Sequence, residues 1–350
     1  MPAWLCPNTH PQSGDSGIVI STRIRLARNI AGFPFPNRCT ENDRKSVRSA
    51  VHKATESLWQ ENTDGFLDIE KLEPLDRLFL LERQLISKEL AEISTLRSGF
   101  IAEDEAFCVM VNEEDHLRIH CLSGGFELDN VWQIVNDVDD QLESQLEYVF
   151  DKQYGYLTSC PSNAGTGMRV SVMLHLPALA ATKEMDSVFR SLQKVYLTVR
   201  GLYGEGSQAF GELFQVSNQM TLGKNETDIM DSMRQCIPQI IEYERKARDY
   251  LLSEKNAMIQ DRCCRALGVL QTSRMIGNTE AMNLLSSVRL GIHTGILDTA
   301  MLGTISLANI NTLLLHIQPA HLQKLAGRNL DPTEQDVERS KRIRLTFGGT

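Results

Sequence analysis

Five arginines that are far apart in the chain lie in segments suited to holding a phosphate chain. They are Arg23 and Arg25 in the run STRIRL, Arg118 in NEEDHLR, Arg169 in CPSNAGTGMR and Arg200 in RGLYGEG. Each guanidinium is permanently charged, and its planar fork fits phosphate oxygens bidentately. The chain has a formal net charge of -9, so these arginines are not part of a general basic coat. Carboxylates and a cysteine in the same segments indicate a nucleotide-dependent phosphotransferase.

The bulk composition is that of a globular protein with a substantial core. The 350 residues are enough for two domains. No apolar run reaches the length of a bilayer span and residues 1–20 lack a secretion signal, so we expect a cytoplasmic protein that does not contact membranes. The eight cysteines form no CxxC pair, which favours reduced thiols and no metal site. The acidic charge argues against nucleic acid as a partner.

Hydrophobic periodicity predicts an α+β region in the first two thirds of the chain. Residues 1–20 are typical of a loop that ends in a short strand. The predicted strands are 18–21, a hairpin over 107–121 with its turn at 112–115, 170–176 and 214–222. The predicted helices are 41–60, 74–97 and 129–150, with 184–200 helical or mixed.

The pattern changes near residue 225 and becomes helical. Residues 225–248 have the spacing of a long amphipathic helix, and most of 250–325 is rich in Leu, Met and Ala. Asp331 and Pro332 have the pattern of an N-cap followed by a first helical position. We therefore predict a catalytic domain over residues 1–230 and an all-helical C-terminal domain over 240–350, with a boundary near 225–245.

The common phosphate-binding motifs are absent from the sequence. There is no GxxxxGK[ST] loop and no HRD or DFG motif. Arginines and a bound divalent ion would have to neutralise the phosphate charge. These groups suffice for catalysis because phosphoryl transfer depends mainly on positioning and electrostatics. On a strand, Arg23 and Arg25 would point to one face and could hold one anion together. Taken alone, the same pair is equally compatible with solvated surface arginines.

An acidic turn supplies a possible base for the reaction. The turn contains three adjacent acids, Glu113, Glu114 and Asp115. Such acids are usually solvated, and a catalytic role for them depends on which group accepts the phosphoryl group. A guanidinium is a poor nucleophile, and carboxylates must align it and accept its proton. Glu205, between two glycines, is a second such carboxylate. Cys160 is either an inert cysteine or a thiolate that could pair with a guanidinium.

The four segments STRIRLARNIAGFPFP, VNEEDHLRI, CPSNAGTGMR and RGLYGEG together resemble the ATP:guanido (phosphagen) kinases, over roughly residues 18–222. The resemblance implies an antiparallel-sheet catalytic domain with Mg²⁺-ATP as the phosphoryl donor. It implies that Glu114 and Glu205 hold and deprotonate the guanidinium, with Cys160 on the substrate side. The implied nucleotide-binding residues are Ser21, Arg23, Arg25, Arg118, Arg169 and Arg200.

The domain order is similar to the bacterial branch of this family that phosphorylates arginine side chains in proteins. Phosphagen kinases of small metabolites carry a helical domain before the STRIR segment, whereas here 20 residues precede it and a helical domain follows. The resemblance implies protein substrates bearing arginine, a homodimer formed through the helical domain, a zinc-binding activator protein and a link to stress protease machinery. Two alternatives stay open, namely a kinase of free arginine and an inactive adaptor that binds phosphoarginine.

Two departures from that branch affect its expected regulation and nucleotide binding. Its phosphoarginine-sensing motif RDxxRA corresponds here to residues 335–340, where Gln335 and Ser340 replace the first arginine and the alanine. Asp336 and Arg339 remain, so allosteric phosphoarginine binding is left open. Gln84 stands where the family has a histidine near the nucleotide.

Overall fold

The computed structural model describes residues 3–5, 17–58, 65–92, 95–201, 209–303 and 305–348. The strands in chain order are β1 Val19–Arg28, β2 Phe66–Asp68, β3 Ser98–Ile101, β4 Phe107–Val111, β5 Leu117–Gly124, β6 Phe150–Asp151, β7 Gly155–Tyr156, β8 Met168–His175, β9 Leu197–Gly201 and β10 Leu213–Asn218. The helices are α1 Glu41–Thr55, α2 Pro74–Glu82, α3 Lys88–Ala91, α4 Leu128–Glu143, α5 Pro177–Ala181, α6 Met185–Gln193, α7 Glu226–Glu254, α8 Asn256–Thr272, α9 Asn278–His293, α10 Thr299–Leu302, α11 Leu307–His316, α12 Pro319–Ala326 and α13 Pro332–Thr346.

An antiparallel sheet of eight strands organises the first two thirds of the chain. Its order is β2-β3-β4-β5-β1-β8-β10-β9, so β1 lies at the centre between β5 and β8. Successive side chains of a strand alternate between the two faces. Ile24 and Leu26 of β1 are fully buried and pair with Val170 and Met168 of β8. This apolar face packs against α4, and the opposite face is left for polar side chains.

The predicted α+β class and helical C-terminal part are confirmed. The hairpin predicted over 107–121 is formed by β4 and β5. The long helix α7 begins after an Asn225 cap. Asp331 caps α13 as predicted, because its side chain accepts a hydrogen bond from Glu334 N at 2.8 Å while its own N–H donates to the Glu334 carboxylate.

Three predicted helices have wrong bounds. The helix expected over 74–97 is broken because Gln84 has a φ of +62°, a left-handed conformation that does not continue an α-helix. The chain there forms α2, then the four-residue α3, and enters β3 at Ser98. The helices expected over 41–60 and 129–150 end at Thr55 and Glu143. The segment 184–200 is mixed, as the second of its two predicted alternatives, with α6 followed by β9. The strand predicted over 18–21 extends to Arg28.

The C-terminal helices share one apolar core with the sheet. Helix α7 contacts β8 and α5 and crosses the predicted domain boundary without a break, so the division into residues 1–230 and 240–350 stays a prediction. Among the residues described, no single helix is both long and apolar enough to cross a bilayer; the bent pair 300–316 and 319–326 meets that criterion only when combined.

Candidate active site

The strand register brings all five candidate arginines to one face of the sheet. Residues that pair directly across antiparallel strands point to the same side. The relevant pairs are Arg25 with Arg169 and with His120, Arg118 with Ala27, Arg200 with Gln215, and Gln215 with Met173. Arg23 Nη2 also donates to Gln215 Oε1 at 3.1 Å, which joins β1 and β10 over β8. We call this set, Arg23, Arg25, Arg118, Arg169 and Arg200, the arginine cradle.

The cradle has an excess of positive charge. Burial lowers the pKa of Arg23 to about 10, and repulsion from Arg169 and Arg118 contributes. Burial, followed by repulsion from Arg23, Arg118 and Arg169, holds the pKa of Arg25 well below its usual range. The Nε atoms of Arg25 and Arg169 are buried without a hydrogen-bond partner. Such a group of guanidinium ions is costly without an anion and suited to a chain of phosphates.

The turn between β4 and β5 places carboxylates at the edge of the cradle. Arg118 Nη1 donates to Glu113 Oε1 at 2.7 Å, and its Nη2 donates to Glu114 Oε2 at 2.9 Å. Glu113 is buried and also accepts from Ser87 Oγ at 2.7 Å. The Glu114 side chain is 40% exposed, and Asn163 Nδ2 lies 3.4 Å from its Oε2. Glu114 is therefore the carboxylate of this pair that a solvent-borne acceptor can reach.

A buried network fixes the acidic turn to the Cys160 segment. Asp115 Oδ1 accepts from Asn29 Nδ2 at 2.7 Å and from Ser159 N at 2.6 Å. Asn29 Oδ1 accepts from His116 N at 2.9 Å, and His116 Nδ1 accepts from Ile30 N at 3.0 Å. Burial lowers the pKa of His116, so the ring is neutral at pH 7. Asn29 was not among the predicted residues, since a single Asn after a strand carries no distinctive pattern.

Cys160 lies on the same side as Glu114. It immediately precedes a 3-10 turn over Pro161–Asn163, is partly buried, and its Sγ is 3.0 Å from Ser162 Oγ. Asn163 at the end of that turn contacts Glu114. The structure thus brings Glu114 and the Cys160 segment together beside the cradle. Glu205 lies outside the described residues.

His120 lies on the cradle face of the sheet, and Gln84 precedes a residue that is bonded to the neighbouring strand β4. His120 pairs with Arg25 of β1 and with Cys108 of β4. Its pKa is held well below the usual range by burial and by the charges of Arg23, Arg25 and Arg118, so it contributes a neutral ring. Gln84 Nε2 is buried without a partner, next to Leu85, whose carbonyl accepts from Cys108 Sγ at 2.7 Å.

The predicted nucleotide residue Ser21 is buried on β1, next to a register shift between residues 19 and 21. Ser21 is two residues from Arg23 and four from Arg25 on the same strand, so its side chain points to the same face of the sheet. Sequence analysis missed His120, although its spacing of two from Arg118 on an alternating strand is a signal that could have identified it.

Asp336 and Arg339 are not part of the cradle. They lie on α13, which packs on α8 and α12. The Arg339 side chain is almost fully buried and donates from Nε to Ile317 O and from Nη1 to Ile276 O, both at 2.9 Å. Its Nη1 also contacts the Asp336 carboxylate. These bonds hold α13 against the neighbouring helices.

No group of three or more His, Cys, Asp or Glu side chains that could hold a metal ion occurs in the described part of the chain.

Comparison with known families agrees with this geometry. The family model "ATP:guanido phosphotransferase, C-terminal catalytic domain" matches residues 46–247, and the chain belongs to the ATP:guanido phosphotransferase family. A second model, "Protein-arginine kinase McsB C-terminal domain", matches residues 256–350. Within the family, the chain therefore groups with the protein-arginine kinases.

Curated relatives support the same grouping over nearly the whole chain. The protein-arginine kinase of Symbiobacterium thermophilum is 45% identical over 333 residues, which are 93% of this chain and 92% of the relative. That of Caldanaerobacter subterraneus subsp. tengcongensis is 42% identical over 94% of this chain and 96% of the relative.

Solved structures show the fold. The duplicated taurocyamine kinase from Schistosoma mansoni with bound transition state analog components has a TM-score of 0.61 at 21% identity over 83% of this chain. The match spans 47% of that duplicated enzyme. A lombricine kinase has a TM-score of 0.58 at 24% identity, with 69% of this chain and 70% of that one covered.

Proposed function

We propose that this protein transfers the γ-phosphoryl group of ATP to arginine side chains of other proteins. The arginine cradle is the observation that carries the proposal, because five guanidinium groups on one face of the sheet supply charge that a nucleoside triphosphate can neutralise. Relatives called protein-arginine kinases at 42–45% identity support the choice of acceptor. The matching C-terminal domain supports it independently.

Glu114 acts as the base in this proposal. One nitrogen of the acceptor guanidinium attacks the γ-phosphorus, an N–P bond forms, and the bond from phosphorus to the departing oxygen of ADP breaks. The nitrogen's proton passes to Glu114, whose exposed carboxylate stands at the edge of the cradle. Arg118 and the other cradle arginines stabilise the charge on the transferring group. Glu205 orients the acceptor, and Cys160 contacts it on the Glu114 side.

Mg²⁺ bound with ATP would supply positive charge that shields the phosphates, and the cradle arginines would hold the phosphate oxygens. The described residues fit this arrangement, since they provide cations for the phosphates and no competing cluster of acidic ligands. The cradle residues orient the phosphates, and Ser21 lies at the start of the same strand.

The helical C-terminal domain forms a homodimer and regulates activity in this proposal. A zinc-binding activator and stress protease machinery act with the enzyme in the cytoplasm. Asp336 and Arg339 form a phosphoarginine site only if the incoming phosphoryl group replaces the Asp336 carboxylate on Arg339 Nη1.

The test is phosphoryl transfer from γ-³²P-ATP to an arginine-rich unfolded protein and, separately, to free arginine. We expect label on the protein that is labile to acid and stable to alkali. Glu114→Gln should lower the rate by about 10²- to 10⁴-fold, while the matched change at an exposed position, Glu103→Gln, should leave it unchanged. Label on free arginine alone would refute the protein acceptor, and a fully active Glu114→Gln enzyme would refute the assignment of the base.

A further inference from the structure

A second cationic cavity lies away from the arginine cradle. It has a volume of about 310 Å³ and opens between the start of β1, helix α7 and the end of α9. Its walls include Gly17 and Ile18, Arg248 and Asp249 of α7, and His293 and Thr294. The volume is at the lower end of the range for small-molecule sites.

The guanidinium of Arg248 is incompletely paired. Its side chain is 10% exposed, and Nε donates to Glu244 Oε1 at 2.8 Å. Its Nη2 is buried without a hydrogen-bond partner. Glu244 is a shared acceptor, because it also receives the N–H groups of Ala178 and Leu179 at 3.2 and 3.0 Å. One carboxylate therefore serves both a helix start and a buried cation.

A second buried cation lies behind Gly17. Arg289 Nη1 donates to Gly17 O at 2.8 Å and its Nε lies 3.4 Å from Asn311 Oδ1. Within the described ranges, no carboxylate forms an ion pair with Arg289. Burial and the charge of Arg248 lower the pKa of Arg289 to about 9, so it is still charged at pH 7.

His293 completes the wall. Its ring packs directly on Gly17, where an added Cβ would lie 1.8 Å from Cε1. Its Nε2 is buried without a partner. Burial, followed by the charges of Arg289 and Arg248, lowers its pKa to about 3, so the imidazole is neutral and can hydrogen-bond a ligand without adding charge.

Among the described residues, the buried charges around the cavity do not balance. Arg245 and Asp249 are exposed at its mouth and have opposite signs. Arg248 is paired with Glu244, whereas no carboxylate among the described residues is paired with Arg289, which donates to Gly17 O. Buried charge of this kind is costly unless a ligand compensates it.

We propose that this cavity binds a small phosphate-type oxyanion, either inorganic phosphate or a small phosphate monoester, through Arg248 and His293. The Arg248 side chain supplies the charge. Arg248 Nη2 and His293 Nε2 are buried without a partner, so a rotation of either side chain towards the cavity would let a ligand satisfy them. Because the cavity begins where β1 begins, an occupied site also braces the strand that carries Arg23 and Arg25.

The test is calorimetric titration of the full chain with inorganic phosphate and, separately, with glycerol 3-phosphate. A saturating non-hydrolysable ATP analogue is present throughout so that the cradle is filled. We expect one site. Thr294→Glu, which puts a carboxylate at the wall, should weaken binding at least about tenfold, and the neutral match Thr294→Gln should not. Asp249→Asn should tighten binding, and Arg248→Gln should weaken it.

Equal affinity for the two ligands would assign the site to phosphate itself, and tighter binding of the ester would assign it to a monoester. The proposal is overturned if neither ligand binds, or if Thr294→Glu and Thr294→Gln bind phosphate equally. The Thr294 and Asp249 variants decide the question even if Arg248→Gln does not fold, because both positions lie at the partly exposed wall.

Discussion

Replacing Arg23 by glutamine should stabilise the nucleotide-free protein while it damages activity. In the folded protein the pKa of Arg23 is lowered to about 10, because of burial first and then the charges of Arg169 and Arg118. Since one pKa unit corresponds to about 1.4 kcal/mol, this lowering means that the charged Arg23 side chain destabilises the folded state by at most about 3.5 kcal/mol. Arg23 is partly exposed, so solvent screening reduces this to about 1–2 kcal/mol.

The direction in which stability changes with pH follows from proton binding to Arg23 in the folded and unfolded states. Between pH 10 and the unfolded pKa, the unfolded state holds the Arg23 proton more tightly, so stability rises with pH there and the full penalty applies below about pH 10. Arg23→Gln removes this penalty at neutral pH. In the proposed mechanism Arg23 is one of the residues that stabilise the charge of the transferring phosphoryl group. Its loss should therefore lower kcat/KM about 10²- to 10³-fold, as for the loss of one preorganised donor.

The assay pairs urea denaturation without nucleotide with steady-state kinetics. The control is Arg265→Gln, since Arg265 is exposed on α8 and paired with Asp261, and it should change neither quantity. A saturating ATP analogue should stabilise the wild-type protein more than the Arg23→Gln variant. An Arg23→Gln variant that is less stable than the wild type without nucleotide, or that keeps full activity, would refute the reasoning.

Two further variants test buried carboxylates. Asp139→Asn removes the partner of the buried Arg28 guanidinium, which donates to Asp139 Oδ2 at 2.7 and 3.0 Å, and should cost about 3–5 kcal/mol in urea denaturation, whereas the exposed Asp140→Asn should be neutral. Glu82→Gln removes one oxygen of the carboxylate that accepts two backbone N–H groups and His321 Nδ1 at the start of α12. It should cost about 1–3 kcal/mol, and a change below about 0.5 kcal/mol would contradict this role.

The sequence was sufficient for the local part of the cradle. The spacing of two between Arg23 and Arg25 puts both on one face of any strand. The pairing of Arg25 with Arg169 was not predictable in the same way, because register depends on contacts between distant segments. The helix break at Gln84 was missed because it rests on a left-handed non-glycine residue, which no periodicity reveals. The short strands β2 and β3 were missed because three or four residues show little alternation.

The Asp115–Asn29 network was missed for a related reason. Each residue type is common in turns and loops, and their joint role depends on β1, the acidic turn and the Cys160 segment meeting in space. Four recurring segments in one order identified the family where single residues could not. The role of Glu205 stays a prediction.

The arginines of strand β1 fall into two kinds, one with a structural role and one suited to binding an anion. Arg28 has a carboxylate, two carbonyl acceptors and the Tyr156 ring at 3.6 Å, so its charge is satisfied without a ligand. Arg23 has one neutral acceptor, Gln215, and faces other cations. Removing the counterion of an arginine of the first kind, as in Asp139→Asn, should destabilise the fold, whereas removing an arginine of the second kind, as in Arg23→Gln, should stabilise it. Opposite signs in the same denaturation assay would therefore identify the cradle as a site held ready for an anion.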